Sequence, residues 1–259
     1  MKIKILEKTD KEIKFLLEDS NPQFANALRR IMTVEVPILA IDSVDFSVNE
    51  SVLYNEVIAH RMGLIPLVFD PKDFHFKDEH EDGKTDSGCE VIFAINKKGP
   101  AMVYSKDMKS SNPDVKPLYD NIPIVELFEN QKLKLEASAS LGLGLKHARY
   151  QAAVAFYKYY PIVKVSGKIA NPEEIVKACP KNAIKISDNK VSVDPDCDLC
   201  TECLNHVKPE GSIELSGDNT KFIFNAETIS GLKPEEIILI AIDILKEKVK
   251  NLGKEINKL

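Results

Sequence analysis

The chain has 259 residues, of which 44% are hydrophobic and 29% are charged, and its formal net charge is −5. This is the composition of a globular protein with room for one large domain or two to three small ones. The negative net charge argues against a large basic surface for nucleic acid. A charged N-terminus, and no apolar run of about 18 residues, argue against a signal peptide and a membrane span, so we expect a cytoplasmic protein.

The N-terminal region predicts two strands followed by a helix. Residues 2–8 and 12–18 have the pattern of short strands joined by a turn. Ser20 or Asn21 can cap the helix, and Pro22 suits its first turn. Arg29 and Arg30 lie off the apolar side of this helix. The apolar residues at helical spacing are Phe24, Ala27, Leu28 and Ile31.

The middle of the chain predicts mainly strands. The first helix should end before Pro37, because a residue that precedes proline is pushed towards extended geometry. Residues 38–48 alternate like a strand. Residues 52–69 predict a helix that ends at Gly63, followed by an extended segment. Two further strands are predicted at 91–104 and 131–139, with a proline-rich loop at 105–127 between them.

The C-terminal third ends in a long helix. A strand is predicted at 221–227, and the helix opens at Pro234 with Glu235 and Glu236 in its first turn. Its first half is apolar almost all round, so it must be covered by more than one neighbour. The cover is either this chain's own sheet or a second polypeptide. The apolar positions at three–four spacing include Ile238, Ala241, Ile242, Leu245, Val249, Leu252 and Ile256.

Residues 168–217 differ in composition from the rest of the chain, because they are rich in turn residues and hold four of the five cysteines. An odd cysteine count with two-residue gaps suits metal binding in a reducing compartment. Ferredoxins of the bacterial type use C-x2-C-x2-C-x3-C-P runs whose last cysteine ligates the other cluster. A ferredoxin with two such runs holds two clusters. The cysteines of that two-run pattern that this chain lacks would all ligate the same one of the two clusters. The complete ligand set of the other is Cys179, Cys197, Cys200 and Cys203.

Alternatives remain at this point for both the metal and the role. Four thiolates also bind zinc, although three sulfurs on one short loop favour a cubane cluster over a zinc knuckle. The cluster could transfer electrons in a carrier protein or an oxidoreductase subunit. Alternatively, its ligation could stabilise the fold of a small domain within a larger scaffold protein. The chain lacks a dinucleotide fingerprint, a P-loop and a haem attachment motif. The pattern therefore favours a non-catalytic protein.

Three motifs and the cysteine segment together resemble a known family. Residues 21–46 (NPQFANALRRIMTVEVPILAIDSVDF), 53–67 (LYNEVIAHRMGLIPL) and 232–245 (LKPEEIILIAIDIL) occur in that order. With the cysteine segment they resemble the D-type subunits of archaeal DNA-directed RNA polymerases. Those subunits are the counterparts of the bacterial alpha-subunit N-terminal domain and of the third-largest subunit of eukaryotic RNA polymerase II.

The resemblance implies an α+β fold with a discontinuous dimerisation domain. This domain would comprise residues 1–45, 156–167 and 218–259. A mainly-β domain would be inserted at 46–155, and a ferredoxin-like βαβ-type module would occupy 168–217. The module would carry one [4Fe–4S] cluster, or a [3Fe–4S] cluster if one ligand does not bind, with zinc less favoured.

The resemblance also implies a function. The chain would have no catalytic residue of its own and would belong to a nucleotidyltransferase complex. It would heterodimerise with the small subunit L through long helices, and the pair would then bind the large catalytic subunits and further small subunits, with little direct DNA contact. The implied interface residues are Phe24, Ala27, Leu28, Arg29, Arg30, Ile31, His60, Arg61, Ile238, Ile242, Leu245, Val249 and Leu252.

Overall fold

The computed structural model describes residues 1–76, 88–187 and 190–258, and in these ranges it is a mixed α/β structure rich in strands. The helices are α1 (Pro22–Val34), α2 (Asn55–Gly63), α3 (Pro172–Ala178) and α4 (Pro234–Ile256). The first seven strands are β1 (Lys2–Lys8), β2 (Glu12–Glu18), β3 (Ile38–Asn49), β4 (Leu67–Val68), β5 (Glu90–Lys98), β6 (Ala101–Tyr104) and β7 (Lys109–Ser110). The remaining strands are β8 (Lys116–Pro117), β9 (Pro123–Leu127), β10 (Lys132–Gly142), β11 (Ala153–Val165), β12 (Ile184–Ser187), β13 (Lys190–Val193) and β14 (Ile213–Thr228).

The N-terminal prediction is confirmed at both strands and at the helix. Strands β1 and β2 pair antiparallel, and Thr9 Oγ1 accepts the N–H group of Glu12 at 3.0 Å to close the turn. Helix α1 starts at Pro22, and the Phe24 N–H donates to Asn21 Oδ1 at 2.8 Å. Of the two predicted caps, Asn21 is therefore the one whose side chain satisfies a free N–H of the first turn.

One four-stranded sheet has the order β1-β2-β14-β11, so strands from both ends of the chain meet in it. Along β2 the side chains alternate, and Ile13, Phe15 and Leu17 are buried. Phe15 stacks on Phe224 of β14 with ring centroids 5.1 Å apart. These aromatic contacts across strands stabilise the sheet and set which face is buried.

A second four-stranded sheet has the order β3-β10-β5-β7. Strand β10 is central and pairs antiparallel with both β3 and β5. Its inward residues Leu133, Leu135, Ala137 and Ala139 are all buried. This alternation over a long strand is the pattern from which the sequence predicts a strand in this region, and that prediction is confirmed.

Three boundaries differ from the prediction for physical reasons. The strand predicted at 91–104 is two strands, because Gly99 and Pro100 interrupt it and proline has no N–H to donate. The predicted loop at 105–127 contains β9, which pairs with β6. The strand predicted at 221–227 begins at Ile213, because sheet pairing extends it through a polar stretch that resembles a turn in the sequence.

Contacts between residues divide the chain into two compact units. One comprises Met1–Arg29 with Ala155–Ala226, and the other comprises Arg30–Val154 with Glu227–Leu259. The predicted three-part division into dimerisation domain, insert and ferredoxin-like module stays a prediction. Within the described ranges, no helix combines the length and the apolar character needed to cross a membrane.

Candidate metal centre and partner surfaces

The cysteine segment folds around its own small apolar cluster. Helix α3 ends at Ala178, directly before Cys179, and the hairpin strands β12 and β13 follow. A 3₁₀ turn at Glu202–His206 carries Cys203. Ile175 is fully buried, and it belongs to the same buried cluster as Ile184 and Val207. This cluster brings the end of α3 close to the later cysteine loop.

All four predicted ligands line one cavity. Cys197 and Cys203 are buried, Cys179 is half-buried and Cys200 is exposed. The structure therefore brings Cys179 to the other three, although it precedes them by a whole hairpin. The remaining wall of the cavity is formed by Lys181, Ile184, Val193, Asp198 and Leu215.

Backbone geometry directs the sulfur atoms into this cavity. The N–H of Ala183 donates to Cys179 Sγ at 3.3 Å, and the N–H of Leu199 donates to Cys197 Sγ at 3.5 Å. Leu199 and Thr201 adopt left-handed conformations with φ of 60° and 65°. Such conformations cost roughly 1–3 kcal/mol in non-glycine residues and concentrate at functional sites. N–H groups that point at sulfur are a feature by which proteins tune iron–sulfur clusters.

Burial works against ionisation of two of the four thiols. Burial raises the pKa of the Cys203 thiol, and the neighbouring thiols raise it further. Burial also raises the pKa of Cys197, with the Leu199 N–H acting in the opposite direction. Four thiolates side by side would repel one another, and a metal bound among them would offset that repulsion. In the part of the chain that the structure describes, no three His, Cys, Asp or Glu side chains form a group that could hold a single ion.

Two lysines attach the cysteine loop to the four-stranded sheet. Lys158 of β11 donates from Nζ to the carbonyl oxygen of Cys197 at 3.2 Å. Lys14 of β2 pairs with Asp196 at 3.1 Å. The sequence analysis missed both contacts, because the partners are 39 and 182 residues apart and no local pattern joins them.

The predicted interface residues of α1 and α2 differ in exposure. Leu28 and Ile31 are buried within this chain, whereas Phe24 and Ala27 are half-buried. Arg30 is exposed, and Arg29 makes hydrogen bonds to Asn26 on the same helix. His60 and Arg61 lie exposed in the last turn of α2, where Arg61 donates to the carbonyl oxygen of Pro123 at 2.7 Å.

Helix α4 presents apolar side chains that this chain leaves uncovered. Its buried residues lie near its start, at Pro234, Ile237 and Ala241. Ile238, Ile242 and Leu245 are half-buried. Further along, apolar residues that follow helical spacing are more than half exposed: Val249 (63%), Leu252 (62%) and Ile256 (57%). An apolar stripe of this kind on a helix marks a surface that binds another helix or sheet.

Comparisons with known proteins point to one family. A family pattern described as the RNA polymerase Rpb3/RpoA insert domain matches residues 39–156. The protein named DNA-directed RNA polymerase subunit Rpo3 from Methanosphaera stadtmanae is 39% identical, over 100% of this chain and 99% of its own length. The Rpo3 subunit of Methanothermobacter thermautotrophicus is 38% identical over 97% of both chains. That of Pyrococcus furiosus is 38% identical, over 100% of this chain and 98% of its own.

Proposed function

This chain belongs to the Rpo3 family of archaeal DNA-directed RNA polymerase subunits, and from that membership we propose how its surfaces and cysteines serve the enzyme. It is a non-catalytic assembly subunit of a nucleotidyltransferase complex. The observation that carries this conclusion is identity of 35–39% to relatives over nearly the full length of both chains. This membership favours an assembly subunit over the electron carrier that the cysteines alone would allow.

We propose that the partner of α4 is the small subunit L. The exposed apolar stripe at Val249, Leu252 and Ile256 supports this, because it continues the half-buried positions Ile242 and Leu245 along one helix. Phe24 and Ala27 of α1 would complete the interface, while Leu28 and Ile31 would support it from within this chain. Arg29, Arg30, His60 and Arg61 would offer charge-assisted hydrogen bonds to the large subunits.

We further propose that residues 168–217 form a ferredoxin-like module that holds one [4Fe–4S] cluster through Cys179, Cys197, Cys200 and Cys203. The donor set fits, since four thiols share one cavity and N–H groups point at two of the sulfurs. Three of the four thiols lie on one short loop, which favours a cubane over the paired turns of a zinc knuckle. Ligation would stabilise a segment whose own core is small. When bound, the cluster would supply a fixed charge centre and a redox-active group.

Purification of the tagged chain from its native cells tests the assembly role. We expect two much larger polypeptides and one small one to co-purify in constant ratio. A chain that elutes without any polymerase subunit would contradict the proposal.

Metal analysis of the same protein, prepared without oxygen, tests the cluster separately. We expect about four iron atoms and four sulfides for each chain, with broad visible absorption that bleaches on reduction. One zinc without sulfide would show a zinc site instead, and about three irons would show the smaller cluster. Neither result would affect the assembly role.

A further inference from the structure

The cysteine loop rests on the four-stranded sheet at a place where the sheet is shaped to receive it. Strand β14 lies between β2 and β11 in the strand order, and Gly217 is part of it. A Cβ atom at Gly217 would lie 2.6 Å from the Tyr159 Cβ and 3.2 Å from the Leu199 Cδ1. The missing side chain therefore lets the loop approach this strand closely.

The two lysine contacts come from the two strands that lie on either side of β14. Lys14 stands on β2, on one side of β14, and Lys158 stands on β11, on the other side. They bind consecutive residues of the loop, because Lys14 pairs with the Asp196 carboxylate and Lys158 binds the Cys197 carbonyl. The loop is thus held from both sides at Asp196 and at Cys197, which is the first of its three candidate ligands.

The Lys158 side chain is only half-exposed, so its ammonium group gives up part of its hydration. A cluster held by four thiolates carries net negative charge, and charge and hydrogen bonding close to such clusters set both their retention and their potential. A half-buried cation next to the first ligand is placed to stabilise the loaded site.

We propose that Lys158 is a positioning residue for the metal centre. It holds the Cys197 end of the loop on the sheet, and its charge stabilises the cluster-loaded state, with the Lys14–Asp196 pair as a second attachment. The inference rests on the proposed cluster for its electrostatic part. Its geometric part is that Lys158 holds the loop in place, with or without a cluster. Iron loss and midpoint potential test the electrostatic part, and amide hydrogen exchange of the metal-free loop tests the geometric part.

The experiment compares the full chain with two variants. Lys158→Met removes the charge and keeps an unbranched side chain one atom shorter, and Lys158→Arg retains the charge. Lys164→Met is the matched control, because Lys164 is an exposed lysine on the same strand. In the cluster-loaded protein, we measure the rate of iron loss to a chelator and the midpoint potential. In protein stripped of metal, we measure amide hydrogen exchange at residues 194–203.

We expect Lys158→Met to lose iron about tenfold faster or more, as is typical when a supporting residue of a metal site is removed. Its midpoint potential should fall, because a nearby positive charge stabilises the more negative, reduced cluster. The loop should exchange several-fold faster. Lys164→Met should match the unmodified chain, and Lys158→Arg should recover most of both properties.

Equal iron loss and equal loop exchange in Lys158→Met and Lys164→Met would overturn the inference. Faster exchange with unchanged iron loss and potential would overturn its electrostatic part. An unmodified chain that holds no iron would overturn the cluster proposal instead. In that case the loop exchange still decides the positioning role, and an unchanged rate in Lys158→Met refutes it.

Discussion

Cys200 is the candidate ligand that can be changed with the least risk to the fold, because it is the exposed member of the four. Replacing it with serine keeps the shape and removes the thiolate. We expect Cys200→Ser to lose the four-iron cluster while it still binds subunit L, since the helix that we assign to the partner is untouched. Iron and sulfide content together with visible absorption give the measurement.

Cys89 provides the matched control for that experiment. It is buried, it does not line the cavity, and it is no part of the predicted ligand set. Cys89→Ala should therefore keep full iron content, even if it lowers stability through a small cavity. Full iron content in Cys200→Ser would show that the ligand assignment is wrong.

Asp107 is expected to make stability depend on pH. Burial raises the pKa of its carboxyl group, but hydrogen bonds from Lys97 at 2.6 Å and from the Tyr104 N–H at 2.8 Å outweigh this, so the pKa lies below its ordinary value. The folded state thus holds the charged carboxylate better than the unfolded state does. The resulting stability is present above the ordinary carboxyl pKa and is lost as the pH falls through the lowered one.

Asp107→Asn should therefore lower the free energy of unfolding by about 1–3 kcal/mol at neutral pH, which is the usual worth of hydrogen bonds to a charged group. The difference from the unmodified chain should shrink as the pH is lowered towards about 3, below the ordinary carboxyl pKa. Denaturant unfolding at several pH values gives the measurement. Asp114→Asn, at an exposed position, serves as the control. A difference that stays constant down to the lowest pH would contradict the assignment.

At the level of the element, α4 should separate partner binding from folding. Leu252 is 62% exposed, so Leu252→Asp should leave the stability of the chain alone nearly unchanged. Within a heterodimer the same change would bury an unpaired charge and cost about 3 kcal/mol or more, a roughly hundredfold weaker affinity. Titration calorimetry or pull-down with subunit L gives the measurement.

Lys250→Asp is the control for this helix, because Lys250 is exposed and lies off the apolar stripe. It introduces the same side chain and should weaken binding far less. Equal affinities for Leu252→Asp and the unmodified chain would mean that this part of α4 faces solvent in the complex.

Elements with strong local signals were predictable from the sequence, and those that depend on distant pairing were not. Helix α4 has Pro234, Glu235 and Glu236 in its first turn, as predicted. The structure adds a hydrogen bond from the Lys233 N–H to the Glu236 carboxylate at 2.8 Å. The start of β14 was missed, because Asp218 and Thr220 resemble a turn until the neighbouring strands supply their pairing.

In the candidate site, too, local sequence patterns were readable and contacts between distant residues were not. The pattern of missing cysteines groups Cys179 with the loop, and in the structure all four cysteines line one cavity, while their role as ligands stays a prediction. Lys14 and Lys158 carry no pattern at all. Their role depends on three strands lying side by side, which the sequence does not reveal.

For the molecule as a whole, we expect the isolated chain to associate with itself. Apolar side chains are exposed along α4 and also on the edge strand β1, where Ile3 and Ile5 are more than half exposed. Patches of this kind rarely remain uncovered on a soluble monomer. Co-expression with subunit L should convert the aggregated chain into a one-to-one heterodimer.

Size-exclusion chromatography with light scattering measures this directly. A chain that is monomeric at tens of micromolar, and whose mass does not change when subunit L is present, would contradict both the exposed interface and the assembly role. Co-expression with an unrelated small helical protein is the control.

The segment that holds the four candidate ligands connects the end of β11, at Val165, to the start of β14, at Ile213. These two strands are neighbours in the sheet. Its two ends meet, since the Ser166 N–H donates to the Ser212 carbonyl oxygen at 2.9 Å. A tight reverse turn could bridge that gap without disturbing the strands on either side. We therefore expect that the segment can be excised, with its contacts to Lys14 and Lys158, while the pairing of β11 with β14 is kept.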